Sequence, residues 1–191
     1  MAAQLLEWMG LIGSAGGPHS SSSALGLYLL LTPSLLLGPC FVLAVAGLQA
    51  RRPADPLGAA ALAFSAIYAA LTGAVYFMQL TLVAPALQQG REASVAWLRF
   101  VPFESPLYAV DLLGYGFMSL ACLSAGLALG RDRPAALARA LLIATGLLLP
   151  FITLQMFWPP LIWVAALWGI TFPLAMLALA QWARQAIDPI L

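Results

Sequence analysis

The sequence predicts an all-α, polytopic membrane helix bundle: five transmembrane helices preceded by a short helix lying in the membrane interface. Three observations predict it. Of the 191 residues, 63% are apolar and only 8% charged, with a mean hydropathy of +0.96, whereas a soluble domain carries about 25% charged residues. Five long apolar runs, about 24–48, 57–84, 106–129, 136–157 and 160–183, are each long enough to cross a hydrocarbon core of about 30 Å. None of them alternates in ten-residue segments, so barrel strands are excluded and helices remain as the form that satisfies its own backbone.

Residues 1–23 read as an N-terminal interfacial amphipathic segment, and 24–191 as the five-helix transmembrane domain. The first segment is not a secretory signal, because it has no positive n-region and Glu7 stands in its place. Leu5, Trp8, Met9 and Ile12 fall at i, i+3, i+4 and i+7 and make one apolar stripe, which lays a short helix in the interface with Trp8 at headgroup level. Gly16-Gly17-Pro18 breaks it, and the serines from Ser20 to Ser23 cap the first span. Arg51-Arg52-Pro53 ends that span and Asp55-Pro56 opens the second. Ser105-Pro106 is an N-cap followed by proline at the first helical position of the third. Gly130 and Arg131 close the third span, and Trp158-Pro159-Pro160 turns the chain from the fourth into the fifth. Pro33, Pro39, Pro150 and Pro173 lie inside spans and are expected to kink them.

The arginines set an orientation. Arg51, Arg52, Arg131, Arg133, Arg139 and Arg184 fall on one side of the membrane, and only Arg91 and Arg99 on the other. The positive-inside rule then places the N-terminus outside, the C-terminus in the cytoplasm and the 85–105 loop outside. The expected location is the cytoplasmic (inner) membrane of a bacterium.

Composition also removes function classes. There is no lysine, so no retinal Schiff base can form. The single histidine, His19, precedes the first apolar run, so bis-histidine haem and His-based metal sites within the membrane are not expected. Cys40 and Cys122 are not in a CxxC arrangement and read as small buried apolar residues. A net charge of +1 implies no nucleic acid or other polyanionic partner. No cofactor and no metal are expected; membrane lipid, a lipophilic small molecule and other membrane subunits are the expected partners.

An ionisable group inside a span is the default functional candidate, because holding it there costs about 3 kcal/mol or more. Asp111, one and a half turns into the third span, is the clear case. Tyr108, Asp111, Tyr115, Met118 and Cys122 share one helical stripe, and Glu104 lies just outside the Ser105 cap near the same line. The second span carries its own polar stripe, Ser65, Tyr68, Thr72, Tyr76 and Gln79. Gln155 ends the fourth span, with Trp158 and Trp163 beside the turn. Gln79, Glu104, Tyr108, Asp111 and Gln155 all lie toward the outer face, so a polar pocket in the outer half, partly roofed by the 85–105 loop, is expected. Three roles stay open for Asp111: a hydrogen bond locking two helices, a ligand- or proton-handling group, or contact with another subunit. Span-end tyrosines and tryptophans are equally the interfacial belt, and Gly126 with Gly130 is a small-xxx-small packing pair.

The stretch from Ser105 to Phe117, SPLYAVDLLGYGF, with the preceding Tyr76-Phe77-Met78-Gln79-Leu80-Thr81, resembles a segment of a family of small bacterial multi-pass membrane proteins with no assigned activity. The resemblance covers the second and third spans and implies a fold but no mechanism. In size and in having Asp111 and Glu104, the chain is also similar to emopamil-binding-type sterol isomerases and integral-membrane terpene cyclases, small bundles that use intramembrane acids on lipophilic substrates. Unlike the sterol isomerases it has no histidine in a span.

Two functions follow as expectations. One is an accessory or lipophilic-ligand-binding subunit, with Tyr76, Gln79, Tyr108, Tyr115, Gln155 and Trp158 as ligand-binding residues. The alternative is an intramembrane enzyme, isomerase- or cyclase-like. Its catalytic residues would be Asp111, as general acid toward an epoxide or alkene, and Glu104, as proton relay. The tyrosine faces would then stabilise cationic character.

Overall fold

The structure, a computed structural model, describes residues 23–130 and 133–185. Residues 1–22 of the N-terminal interfacial segment, His19 among them, and Arg131 lie outside the described residues. Among those described there is no strand, and five helices are long and apolar enough to cross a membrane: Ala24–Ala50, Pro56–Gln88, Pro106–Ala128, Ala135–Leu154 and Pro159–Gln185. The chain is a multi-pass, all-α integral membrane protein.

Local chemistry sets the helix starts. The Gly26 amide donates to Ser23 Oγ at 3.2 Å, the Leu57 amide to Asp55 Oδ1 at 2.9 Å, and the Tyr108 amide to Ser105 Oγ at 3.1 Å. Each satisfies an amide that the first turn leaves without an intrahelical partner. Pro56 and Pro106 follow two of these caps at the position where a missing N–H costs nothing.

The spans differ in how they absorb proline. The first stays helical through Pro33 and Pro39. The fourth is divided into Arg133–Gly146 and Leu149–Leu154. Pro150 explains the division, since it has no N–H for the Gly146 carbonyl four residues back. The Leu148 amide instead bonds Thr145 O at 3.2 Å, tightening the turn. The fifth span enters through a 3₁₀ turn, Pro159–Leu161, and a short helix, Ile162–Ala165, before running as Trp168–Gln185 with Pro173 inside.

The described residues form two compact units. The first combines those of Met1–Phe41 with Tyr68–Gly114. Its apolar core joins Leu27 of the first span, Val75, Tyr76, Val83, Ala84 and Ala86 of the second, Val95 and Leu98 of the loop, and Leu107 of the third. The Phe41 and Tyr68 rings of the same unit meet edge to face at 6.0 Å.

The second unit combines Val42–Ile67 with the described residues of Tyr115–Leu191. Here arginines close helix C-termini, whose last carbonyls lack intrahelical donors and carry the negative end of the dipole. Arg52 Nη1 donates to Ala128 O at 2.6 Å, and Arg139 Nη1 donates to Gly126 O at 3.3 Å and Leu129 O at 3.0 Å. Arg51 Nη2 donates to Ala183 O at 3.1 Å, and its guanidinium lies 4.9 Å from the Trp182 ring centre.

Glycines let the third and fourth spans touch. A Cβ on Gly126 would stand 2.9 Å from Ile143 Cγ1, and one on Gly146 would stand 2.6 Å from Leu123 Cβ and 2.8 Å from its Cα. The small-residue signal at Gly126 therefore marks a real packing face; Gly146 belongs to the same contact and was not singled out from sequence. Because the obstacle at Gly146 is backbone, Gly146→Ala is expected to lower stability by about 1–3 kcal/mol, the usual range for overpacking. The midpoint of thermal aggregation of the detergent-solubilised protein reads this, and an unchanged midpoint would mean the spans are farther apart.

Candidate functional site

The first unit brings Tyr76, Gln79, Tyr108 and Asp111 together with Ser105. All are at most 7% exposed. The second span supplies Tyr76 and Gln79 from its polar stripe, and the third supplies Tyr108 and Asp111 one turn apart. Close approach is possible because Gly114 lies against Thr72: an added Cβ would be 2.7 Å from Thr72 Cγ2.

Asp111 is the one carboxyl in any of the five spans. Its side chain is hydrogen-bonded by the Tyr76 hydroxyl. Its Oδ1 is buried and has no hydrogen-bond partner among the described residues. An orphaned acceptor of this kind costs about 1–3 kcal/mol, on top of the cost of placing a carboxyl in hydrocarbon.

Above Asp111 the loop between the second and third spans is held down at two points. Gln79 Nε2 donates to Leu98 O, and the Phe100 amide donates to Gln79 Oε1 at 3.3 Å. Both ends of the amide are thereby committed to the loop, a structural use that the polar stripe alone did not reveal. At the other end of the loop Ser105 Oγ accepts from the Val101 amide at 3.3 Å as well as capping the third span. Phe100 and Phe103 then set their rings edge-on to Tyr108, at 5.3 and 5.4 Å. Phe103 adopts φ 66, the left-handed region that non-glycine residues avoid.

Gln79 also begins a π-helical segment, Gln79–Val83, in which the Ala84 amide bonds the Gln79 carbonyl five residues back. Pro85 follows at the opening of the last turn, Ala84–Gln88. Its missing N–H gives a reason for the wide turn before it. The span consequently continues to Gln88, four residues past the apolar run ending at 84.

Glu104 is exposed. Tyr115, Gln155 and Trp158 belong to the second unit. There the Tyr115 ring stands edge-on to Trp168 at 4.9 Å. Gln155 is 3% exposed and its Nε2 donates to Ile152 O at 2.8 Å. Trp158 is 63% exposed beside Phe157 and Trp163, the arrangement of an interfacial aromatic belt. Cys40 and Cys122 are free thiols, the first exposed and the second buried, so the reading of both as buried holds for Cys122 alone. Among the described residues no group of three His, Cys, Asp or Glu side chains is placed to hold a metal ion.

Fold and site together define a multi-pass integral membrane protein with, among the described residues, a single intramembrane carboxyl, one oxygen of which is uncommitted. No family model, curated protein or solved structure matches the chain.

Proposed function

We propose that this chain is a lipophilic-ligand-binding or accessory subunit of a bacterial cytoplasmic membrane, and that Asp111 is the polar anchor of its ligand. The N-terminus lies outside and the C-terminus inside, supported by the six-to-two division of arginines. That orientation puts Asp111 and the clamped loop in the outer half of the membrane.

One observation carries the proposal: Asp111 Oδ1 is buried without a partner, while Tyr76 fixes the carboxyl. A residue kept only to lock two helices has both oxygens occupied at least cost; a residue kept for a ligand keeps an acceptor in reserve. Tyr108 and the Phe100 and Phe103 rings would supply apolar and aromatic wall around that acceptor. The same uncommitted oxygen also suits the alternative, a general acid acting on a hydrophobic substrate, with exposed Glu104 as the aqueous proton source.

The test is extraction into native-lipid particles followed by mass spectrometry. The wild-type protein is expected to retain one lipophilic species in stoichiometric amount, and Asp111→Asn to lose it while folding normally. Recovery of the same species at the same occupancy from both would refute the anchor. A species chemically altered by the wild-type protein, and left unaltered by Asp111→Asn, would establish the enzymatic alternative.

A further inference from the structure

The fourth span carries an open groove. Ala136, Ala140 and Ala144 stand at i, i+4 and i+8 and share one face of the helix. All three are exposed, as is Leu147. With Ile143 and Leu147 they line a groove of about 550 Å³, and the polar residue along it is Arg139.

The groove matches one leaflet in length and depth. From Ala136 to Leu147 the helix rises about 16 Å, close to half of a hydrocarbon core of about 30 Å. It starts at the second residue of the span Ala135–Leu154, so it runs from the membrane surface to the middle of the bilayer. Helical side chains lean toward the N-terminus, and here that end is at the surface, so Arg139 carries its head there. Its Nη1 donates to Gly126 O and Leu129 O, at the end of the third span. Its Nε and Nη2 have no partner among the described residues. Arg52 reaches the same helix end from the turn after the first span, on Ala128 O. Among the described residues no carboxylate pairs with either arginine. On this side of the membrane the sequence sets six arginines against Asp55, Asp132 and Asp188.

We propose that the groove holds one anionic phospholipid, its phosphate on the free edge of the Arg139 guanidinium and one acyl chain along Ala140, Ala144 and Leu147. Charge decides against a second copy of the chain as occupant. A helix from these spans would cover the alanines but bring no anion to Arg139, since the carboxyl within the described spans is the buried Asp111. A phospholipid brings charged acceptor oxygens and an apolar chain in one molecule. The surplus of arginines favours a lipid with net negative charge over a zwitterionic one. The site belongs to the second unit, does not involve Asp111, and stands whether or not the proposal for that residue is correct.

The probes are dioleoyl phosphatidylglycerol and dioleoyl phosphatidylcholine, titrated separately into the full chain in detergent and counted as bound lipid by native mass spectrometry. Phosphatidylglycerol is expected to fill one site about fivefold more tightly, the usual contribution of one arginine at a membrane surface. Arg139→Gln keeps a donor for the helix end but removes the charge, and is expected to bring phosphatidylglycerol down to the level of phosphatidylcholine. Ala140→Leu fills the groove at an exposed position and is expected to lower occupancy by both lipids. Glycerophosphoglycerol, the headgroup without chains, is expected not to displace phosphatidylglycerol. Asp111→Asn is expected to bind phosphatidylglycerol like wild type, which keeps this site separate from the one at Asp111. The proposal is overturned if wild type binds the two lipids equally, if Arg139→Gln keeps the preference, or if Ala140→Leu binds both lipids like wild type. Displacement by the headgroup alone would also overturn it, leaving an anion site without a groove. So would a wild-type dimer that Ala140→Leu makes monomeric, which would put a second copy in the groove.

Discussion

Asp111→Leu is expected to abolish ligand retention while leaving the empty protein at least as stable as wild type. Two opposing quantities decide the second half. Leucine strands the Tyr76 hydroxyl, which costs about 1–3 kcal/mol. It also removes a buried carboxyl whose placement in a span costs about 3 kcal/mol or more, with an orphaned Oδ1 in addition. The second quantity is the larger, so thermal stability in detergent is expected to hold or rise. For the ligand the sign is reversed. Losing a hydrogen bond to a carboxyl weakens binding by on the order of 10–100-fold, and co-purification is expected to fall below detection. Asp111→Asn separates the two effects, since its amide oxygen still accepts from Tyr76. A structural lock predicts the opposite pattern: a marked loss of stability in Asp111→Leu and little change in Asp111→Asn.

The second large effect is at Gln79. This side chain is fully buried and holds both Leu98 O and the Phe100 amide. Gln79→Leu leaves the side chain apolar and similar in size but strands both backbone groups. At about 1–3 kcal/mol for each orphaned group, the variant is expected to lose roughly 2–6 kcal/mol. The loss is local as well as global. With the clamp gone, the loop from Gln89 to Ser105 is expected to become the first site of proteolytic cleavage in membranes, where wild type is resistant. If Gln79→Leu keeps wild-type melting and protease resistance, Gln79 does not hold the loop.

Much of the fold was legible because membrane helices obey few rules. Hydrocarbon forces the apolar runs, and their starts are written in cap residues whose chemistry is local: Ser23, Asp55 and Ser105 each accept the amide expected of them. That the polar stripes of the second and third spans face each other was also legible, since two sequence-adjacent helices have few other places to put them; which residue of the second span pairs with Asp111 was not.

What could not be read depends on where the chain returns to itself. Gln79 looked like a ligand group because only the path of the loop shows that Leu98 and Phe100 occupy both ends of its amide. The extension of the second span to Gln88 rests on a wide turn ahead of Pro85, and an apolar profile does not record turn width. Gln155 and Trp158 were grouped with Asp111 on membrane depth alone. Depth does not specify which side of a helix a residue occupies, and in the structure Gln155 bonds its own helix while Trp158 is largely exposed.

The central claim is that the Asp111 position is shielded from both water and lipid, and thiol labelling in intact membranes tests it most directly. In a background with Cys40 and Cys122 replaced by alanine, three single cysteines are compared: Asp111→Cys, Glu104→Cys and Leu113→Cys. Glu104 is exposed in the loop, and Leu113, two residues from Asp111, is 52% exposed on the span. A water-soluble maleimide is expected to label only the position-104 cysteine, and a lipid-soluble maleimide the position-113 cysteine, with position 111 resistant to both until the protein is unfolded. Labelling at 111 as fast as at either control would place that side chain in solvent or in lipid, and the site built around it would be lost.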